Sequence, residues 1–173
     1  LGYDFMNCFD ETFNDKVTQG TLGRNNKSEV VLVSKLKPVL IKYNQNLPPE
    51  AIHLAIEEII KDRSRLSPIK ANQEVYKLIK NGVKVKVQIN GKLENKTVKV
   101  IDYETPENND FFLASQFWIT GEMHTRRPDL IVFVNGLPLV LIELKATGVK
   151  VKRAYDDNLT DYKDTIPQIF NYN

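Results

Sequence analysis

The stretch Arg127-Pro128-Asp129-Leu130-Ile131-Val132-Phe133-Val134-Asn135-Gly136-Leu137-Pro138-Leu139-Val140-Leu141-Ile142-Glu143-Leu144-Lys145 decides how this chain folds. Residues 130–134 and 139–144 are apolar at nearly every position, as central strands covered on both faces are. Asn135-Gly136 between them favours a tight reversal, because both residues tolerate positive φ. The segment reads as a β-hairpin with Asp129 at the start of its first strand. Side chains alternate along a strand, so Glu143 and Lys145 share one face of the second strand and Leu144 points the other way. Folding back at Asn135-Gly136 brings Asp129 opposite the neighbourhood of Glu143. A loop of two to four residues leaves that register open by a residue.

Two acids at the mouth of an apolar sheet repel each other and are costly to desolvate. A bound Mg²⁺ offsets both costs, since it prefers carboxylate oxygens and keeps several waters. Such an ion polarises a phosphoryl oxygen and lowers the pKa of an attacking water. Lys145, on the same face, is suited to hold that water or to neutralise developing negative charge. Arg126 and Arg127 lie just before Asp129 and are candidates for phosphate contact. The Asp/Glu-x-Lys spacing alone carries little information, as it also occurs at Glu94-Asn95-Lys96 and Asp161-Tyr162-Lys163. Only Glu143-Leu144-Lys145 ends a strongly apolar strand behind a Pro-Asp strand and an Asn-Gly turn.

Outward from the hairpin the pattern is helical first and then extended. Ser28 is a candidate N-cap for a helix carrying Leu32, Leu36, Leu40 and Tyr43, with Pro38 expected to kink or split it. Pro48-Pro49 opens a second helix with an apolar stripe of Ile52, Ala55, Ile56, Ile59 and Ile60. A third is expected from Asn72 to about Lys80, ending at Asn81-Gly82. The period then drops to two. Val83, Val85, Val87 and Ile89 alternate with Lys84, Lys86 and Gln88, and Asn90-Gly91 leads towards a partner strand at about 97–103. Residues 111–119 read as a further strand, and a last helix is expected from Arg153 to Asp164. Residues 1–27 are polar and irregular and are expected to hold loops and short strands. The expected fold class is α/β: a mixed central β-sheet flanked by helices.

With 173 residues the chain is sized for a single domain. Its apolar share of 42% and charged share of 27% are those of a globular protein. A net charge of +2 permits nucleic-acid binding without arguing for it. The lone Cys8 excludes an internal disulfide and suits the cytoplasm. No apolar run reaches the roughly 18 residues of a membrane span. His53 lacks the converging ligands that zinc requires, and His124, near the Pro-Asp motif, reads more readily as an exposed loop residue than as a DNA contact. The abrupt ends read as those of a fragment of a longer chain. Gly20 and Gly23 fit no phosphate-binding loop, so ATP is not expected as a ligand here.

The run from Arg127 to Lys145 closely resembles the nuclease core of type I restriction enzymes, specifically the N-terminal domain of their restriction (R) subunit, in the PD-(D/E)xK superfamily. Asn108-Asn109-Asp110-Phe111 and Ser115-Gln116-Phe117 are similar to the family's preceding strand. Asn158-Leu159-Thr160-Asp161-Tyr162-Lys163 is similar to its following helix, and Ile166 to Asn173 to the start of the next strand. Glu29-Val30-Val31-Leu32 with Leu47-Pro48-Pro49-Glu50 is similar to its helical section, here an insertion at about 28–80. Leu1-Gly2-Tyr3 resembles the turn after its first helix.

The resemblance implies a single Mg²⁺-dependent DNA endonuclease domain over 1–173, followed by an ATP-driven motor. It further implies a complex with modification and specificity subunits acting on double-stranded DNA. Asp129 and Glu143 would be the metal ligands and Lys145 the catalytic lysine. A further acid, from a helix before Leu1, is expected outside this chain. The family's Gln-x-x-x-Tyr helper element has two candidates. Gln168 and Tyr172 match the letters, whereas Asn158 and Tyr162 match the helical context and are preferred. Two other readings stay open: another PD-(D/E)xK nuclease, resolvase-like or transposase-associated, and a non-catalytic DNA-binding or docking module on the same fold.

Overall fold

The computed structural model describes residues 2–13, 22–148, 152 and 154–173. Leu1, Gly20 and Arg153, the expected start of the last helix, lie outside them. The helical section comprises α1 (Val33–Tyr43), α2 (Pro49–Ile60) and α3 (Pro68–Asn81). α1 starts four residues later than the Ser28 cap predicts, because Ser28 sits in a turn on the Asn26 side chain. Pro38 does not split it. Proline deletes one backbone bond, and the fully buried Leu36 and Leu40 anchor the helix on either side. α2 opens at Pro49 as the sequence predicts. α3 starts four residues before Asn72, with Pro68 in the first turn, where its missing N–H costs nothing. No helix among the described residues is long and apolar enough to cross a membrane.

The strands are β1 (Asp4–Asn7), β2 (Val83–Ile89), β3 (Lys92–Val98), β4 (Phe111–Ser115), β5 (Ile119–Thr120), β6 (Thr125–Arg126), β7 (Leu130–Val134) and β8 (Leu137–Ile142). The central sheet is mixed, in the order β1-β4-β7-β8, with β1 parallel to β4 and the other pairs antiparallel. β2 and β3 form a separate hairpin whose Val83, Val85 and Val87 pack inward while Lys84 and Lys86 face solvent. Its return strand follows Asn90-Gly91 directly, rather than starting near residue 97. The expected strand over 111–119 is broken at Gln116, which takes φ +55°. That break tucks Phe117 wholly into the core.

One sheet face is fully buried, through Phe112, Ala114, Ile131 and Phe133. β7 is central, yet its Leu130, Val132 and Val134 are only half-buried, and β8 is an edge strand with Val140 46% exposed, so neither strand is covered on both faces as the sequence predicts. The hairpin's far end is locked. Asn135 (φ 54°) and Gly136 (φ 78°) form a two-residue turn of the primed type. Asn135 is wholly buried: its Nδ2 donates to Val100 O and Asn109 Oδ1, and its Oδ1 accepts from Asp110 N. Gly136 O accepts from Leu32 N, and a Cβ at Gly136 would meet Leu32 O at 2.4 Å. After β8 come a π-helical turn (Ala154–Leu159), α4 (Thr160–Thr165) and a 3₁₀ turn (Pro167–Asn171).

Candidate active site

The tight turn pairs Val134 with Leu137 and Phe133 with Pro138, after which the register slips so that Val132 pairs with Val140 and Leu130 with Ile142. Leu139 is the extra residue of a β-bulge. The slip decides the site. Continued by one residue, it sets Asp129 opposite Glu143; without it, Ile142 would stand there. β8 ends at Ile142, so Glu143 and Lys145 lie just past the strand rather than on it.

The two acids interlock through the main chain. Asp129 N–H donates to Glu143 Oε1 at 3.3 Å, and Leu144 N–H donates to Asp129 Oδ2 at 2.8 Å. Gln116 N–H donates to Asp129 O at 2.9 Å, and its Nε2 stands 3.5 Å from Asp129 Oδ1. From the π-helical turn, Asn158 Nδ2 donates to Glu143 Oε2 at 3.0 Å, while Asn158 Oδ1 accepts from Lys145 Nζ at 2.6 Å. The buried Tyr162 of α4 sets its phenol against the Glu143 carboxyl. Asp129, Glu143, Asn158 and Lys145 thus form one continuous polar chain.

Burial pushes the Glu143 carboxyl above its ordinary range; the Tyr162 hydrogen bond opposes this and the Asp129 charge adds to it. Burial and then the Glu143 charge raise the Tyr162 phenol well above its ordinary value. A pair of half-screened carboxylates with spare lone pairs suits a hard cation. Among the described residues no third His, Cys, Asp or Glu joins them. Mg²⁺ fits such a donor set, because it is commonly held by one or two carboxylates and water.

The two helper candidates part company here. Asn158 and Tyr162 both touch Glu143. Gln168 instead bonds Thr120 O, and Tyr172 donates to Ile59 O deep in the core. Arg126 is gripped by Asp161 through both Nε and NH2, the latter at 2.8 Å from Oδ1, so its guanidinium ties β6 to α4. Arg127 lies over the rings of both Phe9 and Trp118.

A family model described as the N terminus of the type I restriction enzyme R protein matches residues 1–173. The chain belongs to this family. It is 36% identical over 162 residues to the type I restriction enzyme HindI endonuclease subunit of Haemophilus influenzae, covering 91% of this chain and 15% of that protein. It is 38% identical over 102 residues to the putative MjaIXP endonuclease subunit of Methanocaldococcus jannaschii, covering 56% of this chain and 10% of that protein. The chain therefore spans under a sixth of the length of these relatives.

In this R-protein N-terminal domain the sequence reading missed Gln116 and Asp161. Gln116 looked like one polar residue within a strand, and nothing in the sequence announces its left-handed backbone. Asp161 stands in the sequence only within an uninformative Asp-x-Lys triplet and the segment similar to the following helix, with no role of its own. Cys8 is wholly buried, its thiol pushed up to about 12 chiefly by burial, which leaves it without nucleophilic character.

Proposed function

We propose that this domain is the endonuclease portion of a type I restriction R subunit, a PD-(D/E)xK enzyme that hydrolyses phosphodiester bonds of double-stranded DNA. One observation carries the reading. The bulged register sets Asp129 against Glu143, and Asn158 links that pair to the Lys145 ammonium. The rest of the subunit would supply an ATP-driven motor, with modification and specificity subunits as partners in the cytoplasm. The relatives' names, as endonuclease subunits of type I restriction enzymes, support the subunit reading.

Asp129 and Glu143 would hold Mg²⁺, which when bound polarises the phosphoryl group and acidifies water. The remaining chemistry belongs to the chain. Leu144 N–H and Gln116 restrain the Asp129 carboxylate, while Asn158, Tyr162 and the Asp129 N–H restrain that of Glu143. Neither acid then has to reorganise when a phosphate arrives. Asn158 holds Lys145 Nζ through one of its three donors and leaves the others for a water or a non-bridging oxygen. Arg126 serves the site indirectly, by fixing α4 and hence Tyr162.

The test is DNA cleavage by the full-length subunit in its assembled complex, with Mg²⁺ and ATP, comparing wild type with Lys145→Ala. Cleavage should fall by several powers of ten if the ammonium supplies on the order of 4 kcal/mol, while ATP hydrolysis persists. Wild-type cleavage by Lys145→Ala would leave a docking or DNA-binding module in place of a nuclease.

A further inference from the structure

We propose that Arg127 and Lys27, mounted on Phe9 and Trp118, form a subsite for the DNA phosphodiester backbone beside the carboxylate pair; this rests on the nuclease reading above. The Arg127 guanidinium carbon lies 4.7 Å from the centre of the Phe9 ring and 4.9 Å from that of Trp118. Lys27 Nζ lies 4.6 Å from the Trp118 ring centre. The indole is itself fixed, its Nε1 donating to Phe9 O at 2.9 Å. Two cations thus share one ring, and neither has a carboxylate partner among the described residues. Among the other described arginines, Arg24, Arg63 and Arg126 are engaged differently, each paired with an acid.

Ring faces attract a cation without occupying its N–H donors. Stacking therefore fixes the Arg127 fork while leaving its hydrogen-bonding capacity to an incoming group. Two like charges held together invite an anion that neutralises both. The identity of that anion follows from position. Arg127 is two residues before Asp129, and two residues of extended chain span at most about 7 Å. A polyanion whose scissile phosphate sits at Asp129 and Glu143 would carry a neighbouring phosphate past Arg127. A planar guanidinium on an aromatic platform matches a phosphate bidentately, and the ammonium supplies a second point charge.

The experiment measures duplex DNA binding by the full-length subunit without Mg²⁺ or ATP, across a series of salt concentrations. Each lost phosphate contact should flatten the slope of log affinity against log salt by about 0.9. Arg127→Gln and Lys27→Gln should each show that loss, and the double variant about twice it, equally for unrelated DNA sequences. Arg127→Lys should keep the slope but bind more weakly, since it keeps the charge and loses the fork. If Arg127→Gln does not fold, the partly exposed Lys27→Gln still decides. Unchanged slopes in variants that melt like wild type would overturn the subsite, as would a wild-type subunit that does not bind DNA. Lys145→Ala cleavage reports separately on the nuclease reading. Flattened slopes with Lys145→Ala still cutting would leave a DNA-binding subsite on a non-catalytic domain. Unchanged slopes with Lys145→Ala inactive would leave a nuclease that uses other phosphate contacts.

Discussion

Glu143 is a half-buried acid whose proton is held chiefly by burial and secondarily by the charge of Asp129. Burial therefore outranks the Asp129 charge. Asp129→Asn should lower the Glu143 pKa only part of the way to its ordinary value, because burial remains; carbon NMR of the Glu143 carboxyl through a pH titration reads this directly. A full return to the ordinary value would mean that repulsion, not burial, dominates. The sign for folding follows. Between the ordinary and the raised pKa, the folded chain holds a proton that the unfolded chain has released, so Glu143 opposes folding as pH rises through that window. A divalent cation needs the ionised pair, so Mg²⁺ or Mn²⁺ affinity measured by calorimetry should rise with pH across the same window and be lost in Asp129→Asn. Gln116 is the second residue of interest. Its φ of +55° costs about 1 kcal/mol, a cost that Gly would not bear. Gln116→Gly should therefore melt no lower than wild type yet cut DNA more slowly, since Asp129 loses its side-chain neighbour. Equal loss of melting temperature and activity would instead make Gln116 a packing residue.

At the scale of elements, the candidate site residues are aligned by a turn and a bulge two residue pairs apart in one hairpin. The Asn135-Gly136 turn sets the starting pairs, and Leu139 then shifts them by one residue. Deleting Leu139 should set Ile142 rather than Glu143 against Asp129. Cleavage should vanish, while far-ultraviolet circular dichroism stays close to wild type, because β7 keeps its buried contacts with β4. A deletion variant that still cuts would mean the strand re-forms its bulge elsewhere. The turn itself was legible in the sequence, since Asn-Gly between apolar runs has a known geometry. The bulge was not, because Leu137 to Ile142 is uniformly apolar and offers no period to count. The same logic separates the other elements. Pro49 and the valine alternation of β2 announce themselves through local stereochemistry. The break in the 111–119 strand comes from Phe117 entering the core, which is a tertiary demand. The π-helical turn that brings Asn158 to Glu143 likewise answers to packing rather than to local propensity.

At the scale of the whole molecule, the central sheet depends on a strand that sequence periodicity could not supply. β1 has no apolar alternation, yet it pairs parallel with β4 from Asp4 opposite Phe112 to Asn7 opposite Ser115. What holds this distant segment is a polar tie. Glu11, just after β1, is wholly buried at its side chain with Arg24, which meets both of its oxygens. Arg24 also donates to Glu29 O at 2.8 Å and Trp118 O at 3.0 Å, and stacks 3.7 Å from the Phe117 ring centre. One guanidinium therefore joins the N-terminal segment, the approach to α1 and the β4–β5 bend on which Trp118 and the proposed phosphate subsite stand. Burying two charges is costly, and the pair stabilises little relative to an apolar replacement of both; removing one partner, however, strands the other in the core. Arg24→Ala or Glu11→Ala should each cost about 3–5 kcal/mol in urea denaturation, and the double variant should cost less than the sum of the two. Arg24→Lys should not rescue, because an ammonium cannot serve Glu11, Glu29 O and Trp118 O with a rigid fork. Additive losses would show that the two side chains act independently, and that β1 is held to the sheet by its ladder alone.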